Sequence, residues 1–217
     1  MDLSSGTDAE IIAEYGPFTD AQRIHGLTFD GTRIWFAAGT HIQAVDPTTG
    51  EAKERLNVAA RAGTAFDGRH LFQIVDERIE KLDPKSGTVL ASFPVPGGKD
   101  ASGLTWAEGK LWVGEYSQRK IHQLDPESGK VLRSIDTPRF VTGVTWLGDE
   151  LWHGTQEEQR SELFRIDPST GKPLEVVRMP AGTTVSGLES NGRDLFFCGG
   201  GASGKIRVVR RPKRARG

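Results

Sequence analysis

The chain holds one cysteine, Cys198, in 217 residues, so no disulfide can form within it. No apolar run approaches the roughly 20 residues that a membrane-crossing helix needs. The opening MDLSSGTDAE has neither a basic nor an apolar leader region, and the expectation is a soluble, cytoplasmic protein with no membrane partner. An excess of charge is missing too, because the net is −1. That balance hides an asymmetry. Arg210, Arg211, Lys213, Arg214 and Arg216 crowd the end of the chain, leaving the body at about −6. An acidic body argues against a nucleic-acid groove there. The basic stretch 210–217 reads as a disordered end, and residues 1–209 as one domain.

What the chain has in plenty is glycine, 27 residues of it, and a repeat. GLTFDGTRIWF starts at Gly26, GTAFDGRHLFQ at Gly63, GLTWAEGKLWV at Gly103, GVTWLGDELWH at Gly143 and GLESNGRDLFF at Gly187. The starts lie 37, 40, 40 and 44 residues apart. A period near 40 with several short strands per unit is the mark of a β-propeller. In the third copy SGLTWAE, KLWVGEY, KIHQLDP and KVLRSID read as four strands. DPxxG at 46–50, 83–87, 125–129 and 167–171 reads as the hairpin turn before each fourth strand. The fifth copy ends after its third strand, KIRVVRR. Residues 9–17, AEIIAEYGP, match KVLRSIDTP, so the amino-terminal segment is expected to complete the last blade. The fold class is therefore an all-β, five-bladed propeller of four-stranded antiparallel blades, expected to be a monomer. Trp35, Phe72, Trp112, Trp152 and Phe196 share one repeat position and are expected to wedge between blades.

This strand order puts the DPxxG turns and the DGT, DGR, EGK and GDE turns on one face. The segments leading into each first strand and out of each second strand lie on the other, and they vary. Function concentrates on variable loops carried by a rigid scaffold, so the mouth of the central channel on that face is the candidate site. Candidate ligand-binding residues are Arg61, Lys99, Asp100, Ser102 and Arg139, before first strands, with Gln73 in and Gln156 after second strands. Three of these are cations, which suits a small molecule or peptide, anionic where it meets them. Candidate catalytic residues are His25, Glu115 and His153. Cys198 reads as a buried structural thiol. GGGASGK at 199–205 matches part of a phosphate loop, but Ile206 replaces its Ser or Thr and a strand follows instead of a helix. No His/Cys/Asp spacing matches a zinc site.

GLTWAEGKLWVGEYSQRKIHQLDPESGKV resembles the repeat of streptogramin lyase-type propellers. The five-fold count and the HGLTFDG opening resemble plant- and bacterial-type glutaminyl-peptide cyclotransferases. The second resemblance implies conversion of an amino-terminal glutaminyl residue to pyroglutamyl with loss of ammonia, which needs an acid or base near the leaving amine. That family has glutamine, glutamate and asparagine before the first three blade glycines, where this chain has His25, Ala62 and Ser102. Gln73 matches, whereas Ala62 removes the family's acid. The lyase resemblance implies metal-assisted lactone opening, with a divalent metal at the channel mouth and roles for His25, His153 and Glu115.

Overall fold

A computed structural model describes residues 6–158 and 160–213. Five antiparallel sheets follow one another along the chain. Blade one is Leu27–Phe29, Ile34–Ala37, Ile42–Val45 and Ala52–Leu56. Blade two is Thr64–Phe66, Leu71–Val75, Arg78–Leu82 and Val89–Pro94. Blade three is Ala101–Ala107, Lys110–Glu115, Lys120–Leu124 and Val131–Asp136. Blade four is Gly143–Leu147, Glu150–Glu157, Arg160–Ile166 and Pro173–Arg178. Blade five takes Gly187–Ser190, Leu195–Gly199 and Ile206–Arg210 from the end of the chain and Glu10–Tyr15 from its start. Glu10–Tyr15 runs antiparallel along Ile206–Arg210. Just before it, Thr7 and Asp8 pair in parallel with Val177 and Arg178 of blade four.

The repeat glycines explain how the five blades meet. A Cβ on Gly26 would fall 2.5 Å from Ala62 O, and one on Gly103 would fall 2.6 Å from Val144 N. Gly63, Gly143 and Gly187 likewise abut the backbone of the next blade. The innermost strands therefore touch in a closed ring where only a hydrogen fits. At the opposite end of each hairpin, the DPxxG turns repeat one chemistry. Asp46, Asp83, Asp125 and Asp167 each accept backbone N–H bonds from the two residues at the turn tip. The closing Gly50, Gly87, Gly129 and Gly171 all sit at φ 70 to 73°.

Between blades the aromatics pack as wedges, with one correction. The residue two after the ring glycine pairs with the wedge in four blades: Thr28 with Trp35, Ala65 with Phe72, Thr105 with Trp112 and Thr145 with Trp152. In blade five, Glu189 pairs with Phe197, not Phe196. The SNGRD turn holds one residue more than its counterparts. Asn191 Oδ1 accepts the N–H groups of Arg193, Asp194 and Leu195 at 2.9 to 3.0 Å. One extra residue exchanges the two faces of the strand that follows. Phe196 turns back onto Trp152 of blade four at 4.9 Å, and Phe197 meets Phe29 of blade one at 5.2 Å.

The basic end also departs from expectation at its start. Arg210 is the last residue of its strand, and Arg211 is 8% exposed in its side chain. The Arg211 guanidinium bonds Glu150 at 2.9 and 3.0 Å and Glu175 at 2.8 and 2.9 Å, over the Trp152 ring. Folded structure therefore extends past residue 209. Residues 214–217 lie outside the described ones.

Candidate functional site

The residues immediately before the ring glycines, His25, Ala62, Ser102, Thr142 and Ser186, form a collar above the ring. They line a cavity of about 350 Å³ at the channel mouth, together with Arg23, Arg61, Lys99, Asp100, Tyr116 and Gln156. The sequence reading therefore places His25, Arg61, Lys99, Asp100, Ser102 and Gln156 around one hollow. It missed Arg23 and Tyr116, which stand in the segments TDAQRIH and EYSQRK.

Two of the three collar hydroxyls, those of Ser102 and Ser186, brace the ring more than they face a ligand. Ser102 Oγ lies 2.6 Å from Val141 O and 3.1 Å from Gly114 O. Ser186 Oγ lies 2.6 Å from Ile24 O and accepts the Gly201 N–H at 3.0 Å. Each hydroxyl thus links its own blade to the next. Asp100 is engaged as well, because its carboxylate accepts the Ser117 N–H and hydroxyl, both at 2.7 Å. The Gln156 amide donates to Thr184 Oγ1 at 3.3 Å.

The cations are freer. Lys99 is 86% exposed and lies 3.9 Å from Glu77, and Arg61 is 66% exposed and lies 3.8 Å from Asp76. Long, solvated pairs of this kind hold their charges weakly. His25 is half-buried, and its imidazole makes no hydrogen bond among the described residues. Burial, with Arg23 and Arg61 beside it, holds the imidazole below its ordinary value, so it is neutral at neutral pH.

Four predicted residues stand elsewhere. Glu115 Oε2 bonds His122 Nε2 at 2.9 Å, and His122 Nδ1 bonds Ser134 at 2.8 Å, a chain that ties three strands of blade three together. His153 is wholly buried, stacked on Phe164 at 5.4 Å with Nδ1 3.2 Å from Gly154 O. Burial pulls its pKa down to about 4, so it packs as a neutral ring outside the cavity. Gln73 accepts the Thr64 hydroxyl at 2.7 Å and donates to the Ala62, Gly63 and Ile74 carbonyls at 2.9 to 3.2 Å. Its amide is saturated by blade two. Arg139 pairs with Glu157 at 2.6 Å over a separate groove of about 250 Å³. Cys198 is buried, and burial pushes its thiol up to about 12, which leaves it unreactive. Among the described residues no cluster of three or more His, Cys, Asp or Glu side chains could hold a metal ion.

Beyond the glycine ring, one buried carboxyl group ties four inner strands together. Glu189 occupies the position that is threonine in blades one, three and four. It accepts hydrogen bonds from Thr28, Thr105 and Thr145, and from the Ser190 N–H at 2.9 Å. Burial raises its pKa to about 7 despite those donors. A carboxyl raised in this way favours the folded state fully below its ordinary value near 4.5, and that contribution is lost as pH rises through about 7. Chemical denaturation should show wild-type stability falling by on the order of 2–3 kcal/mol from pH 5 to pH 8, and much less in Glu189→Gln. Parallel curves for the two proteins would refute the buried-carboxyl account.

No protein-family model matches this chain, and no curated protein matches it. Solved structures do. A Myxococcus xanthus glutaminyl cyclase superposes with a TM-score of 0.74 at 17% identity, over 93% of this chain and 95% of that one. U3-55K gives 0.59 at 12% identity, over 94% of this chain and 100% of that one. The RRP9 WD40 repeats give 0.56 at 12% identity, over 94% and 97%. At such identities the likeness is one of fold.

Proposed function

We propose that this propeller captures a small anionic ligand at its channel mouth and does no chemistry on it. The observation that carries the reading is the charge of the hollow. Arg23, Arg61 and Lys99 line it, and its one carboxylate, Asp100, is engaged by Ser117. Guanidinium groups suit carboxylate and phosphate oxygens because their donors match in spacing and direction. A concave site of a few hundred Å³ on a rigid frame is the usual setting for small-ligand capture. Glutaminyl cyclisation is the weaker reading. Ala62 stands in the collar where the acid would be, Glu115 is held by His122, and Glu189 lies beyond the glycine ring.

Calorimetric titration with inorganic phosphate at low salt tests the proposal. The wild type should bind saturably, with affinity falling as salt rises. The double variant Arg23→Gln/Arg61→Gln should lose tenfold or more. Equal affinity in the two proteins would reject the site.

A further inference from the structure

Resting on the anion-binding reading, we propose that the mouth selects anions that carry a planar aromatic ring, which stacks on Tyr116. Tyr116 is the aromatic side chain lining the hollow, alongside Arg23, Arg61 and Lys99. Its ring lies on Phe140, with centroids 4.9 Å apart and planes 19° apart. The Arg119 guanidinium sits over the same Phe140 ring at 4.6 Å. Tyr116 is thus backed by a layered support of ring and cation, and it has no second ring contact among the described residues.

Its placement is fixed from several sides. The Tyr116 N–H donates to Asp100 O at 2.9 Å, and its hydroxyl donates to Gln156 O at 3.4 Å. The next residue, Ser117, bonds the Asp100 carboxylate twice. A ring held this way gives up little freedom when a ligand stacks on it, so the stacking energy appears as affinity. Stacking tolerates any planar π-face, whereas the cations require negative charge. The two together describe an aromatic phosphate or an aromatic carboxylate.

Paired probes separate the ring from the charge and one anion from the other: AMP against inorganic phosphate, with adenosine as the neutral ring, and benzoate against acetate. At least one ring-bearing anion should bind roughly tenfold tighter than its ringless partner, and the pair that gains identifies the anion. Tyr116→Leu should abolish that gain, while Tyr116→Phe should keep it. Phosphate binding with no gain in either pair would overturn the aromatic selectivity alone. No binding of any anion would overturn the underlying reading as well.

Discussion

Deletion of residues 1–16 should abolish cooperative folding. Those residues include Glu10–Tyr15, the outermost strand of blade five. Without it, Ile206–Arg210 becomes an unpaired edge, open to association with other chains. Packing is lost at two blade boundaries together. Ala9 and Ile11 lie against the cluster that contains Trp152, Phe196 and Val209. Ala13 and Tyr15 lie against the cluster that contains Phe36, Phe197 and Val208. Tyr15 also donates its hydroxyl to Pro47 O at 2.6 Å, fixing the strand to blade one. The summed loss is on the order of 5 kcal/mol or more, comparable with the whole stability of a typical domain, about 5–15 kcal/mol. Thermal unfolding followed by circular dichroism, with gel filtration, should find an unfolded or aggregated chain. A monomer that melts within a few degrees of the intact protein would contradict the pairing.

Arg211→Ala should cost about 1.5–3 kcal/mol, a large effect for one residue in what reads as a polar tail. Glu150 is 6% exposed, and Arg211 supplies two of its hydrogen bonds. Trp152 Nε1 still donates to Glu150 at 3.0 Å in the variant, and Arg165 stands 3.9 Å away. Neither replaces a forked guanidinium at contact distance. Packing of the Arg211 side chain over Trp152 is lost at the same time. Arg211→Ala/Glu150→Gln should recover part of the loss, since the buried carboxylate charge that Arg211 offsets is then gone. Urea denaturation measures both. A single variant within about 1 kcal/mol of wild type would show that the pair contributes little.

The propeller was legible because its determinants are local and repeated. A glycine where neighbouring backbones touch and an aromatic opposite the inner strand recur every 37 to 44 residues, and an Asp-Pro turn recurs in four of the five blades. The mouth was legible by topology, and so the positions before each ring glycine fell together. What escaped reading depended on single-residue events. The longer SNGRD turn exchanges Phe196 and Phe197, and no alignment by spacing alone reveals that. Glu115 and Gln73 occupy positions that flank the mouth, but their side chains meet partners within their own blades, His122 and Thr64, before they meet a ligand. Arg211 reads as tail charge until Glu150 and Glu175, distant in sequence, are brought beside it. Arg23 and Tyr116 carry no repeat signal, since each belongs to a segment peculiar to its blade.

The most direct measurement is a phosphate titration followed through the imidazole resonances of His25. An anion bound among Arg23, Arg61 and Lys99 lies beside that ring and favours its protonated form. Saturable shifts of the His25 signals, with its pKa rising on binding and the buried His153 unmoved, are the predicted result. Phosphate that binds saturably while His25 stays silent, or fails to bind at all, would contradict an anion-capturing mouth.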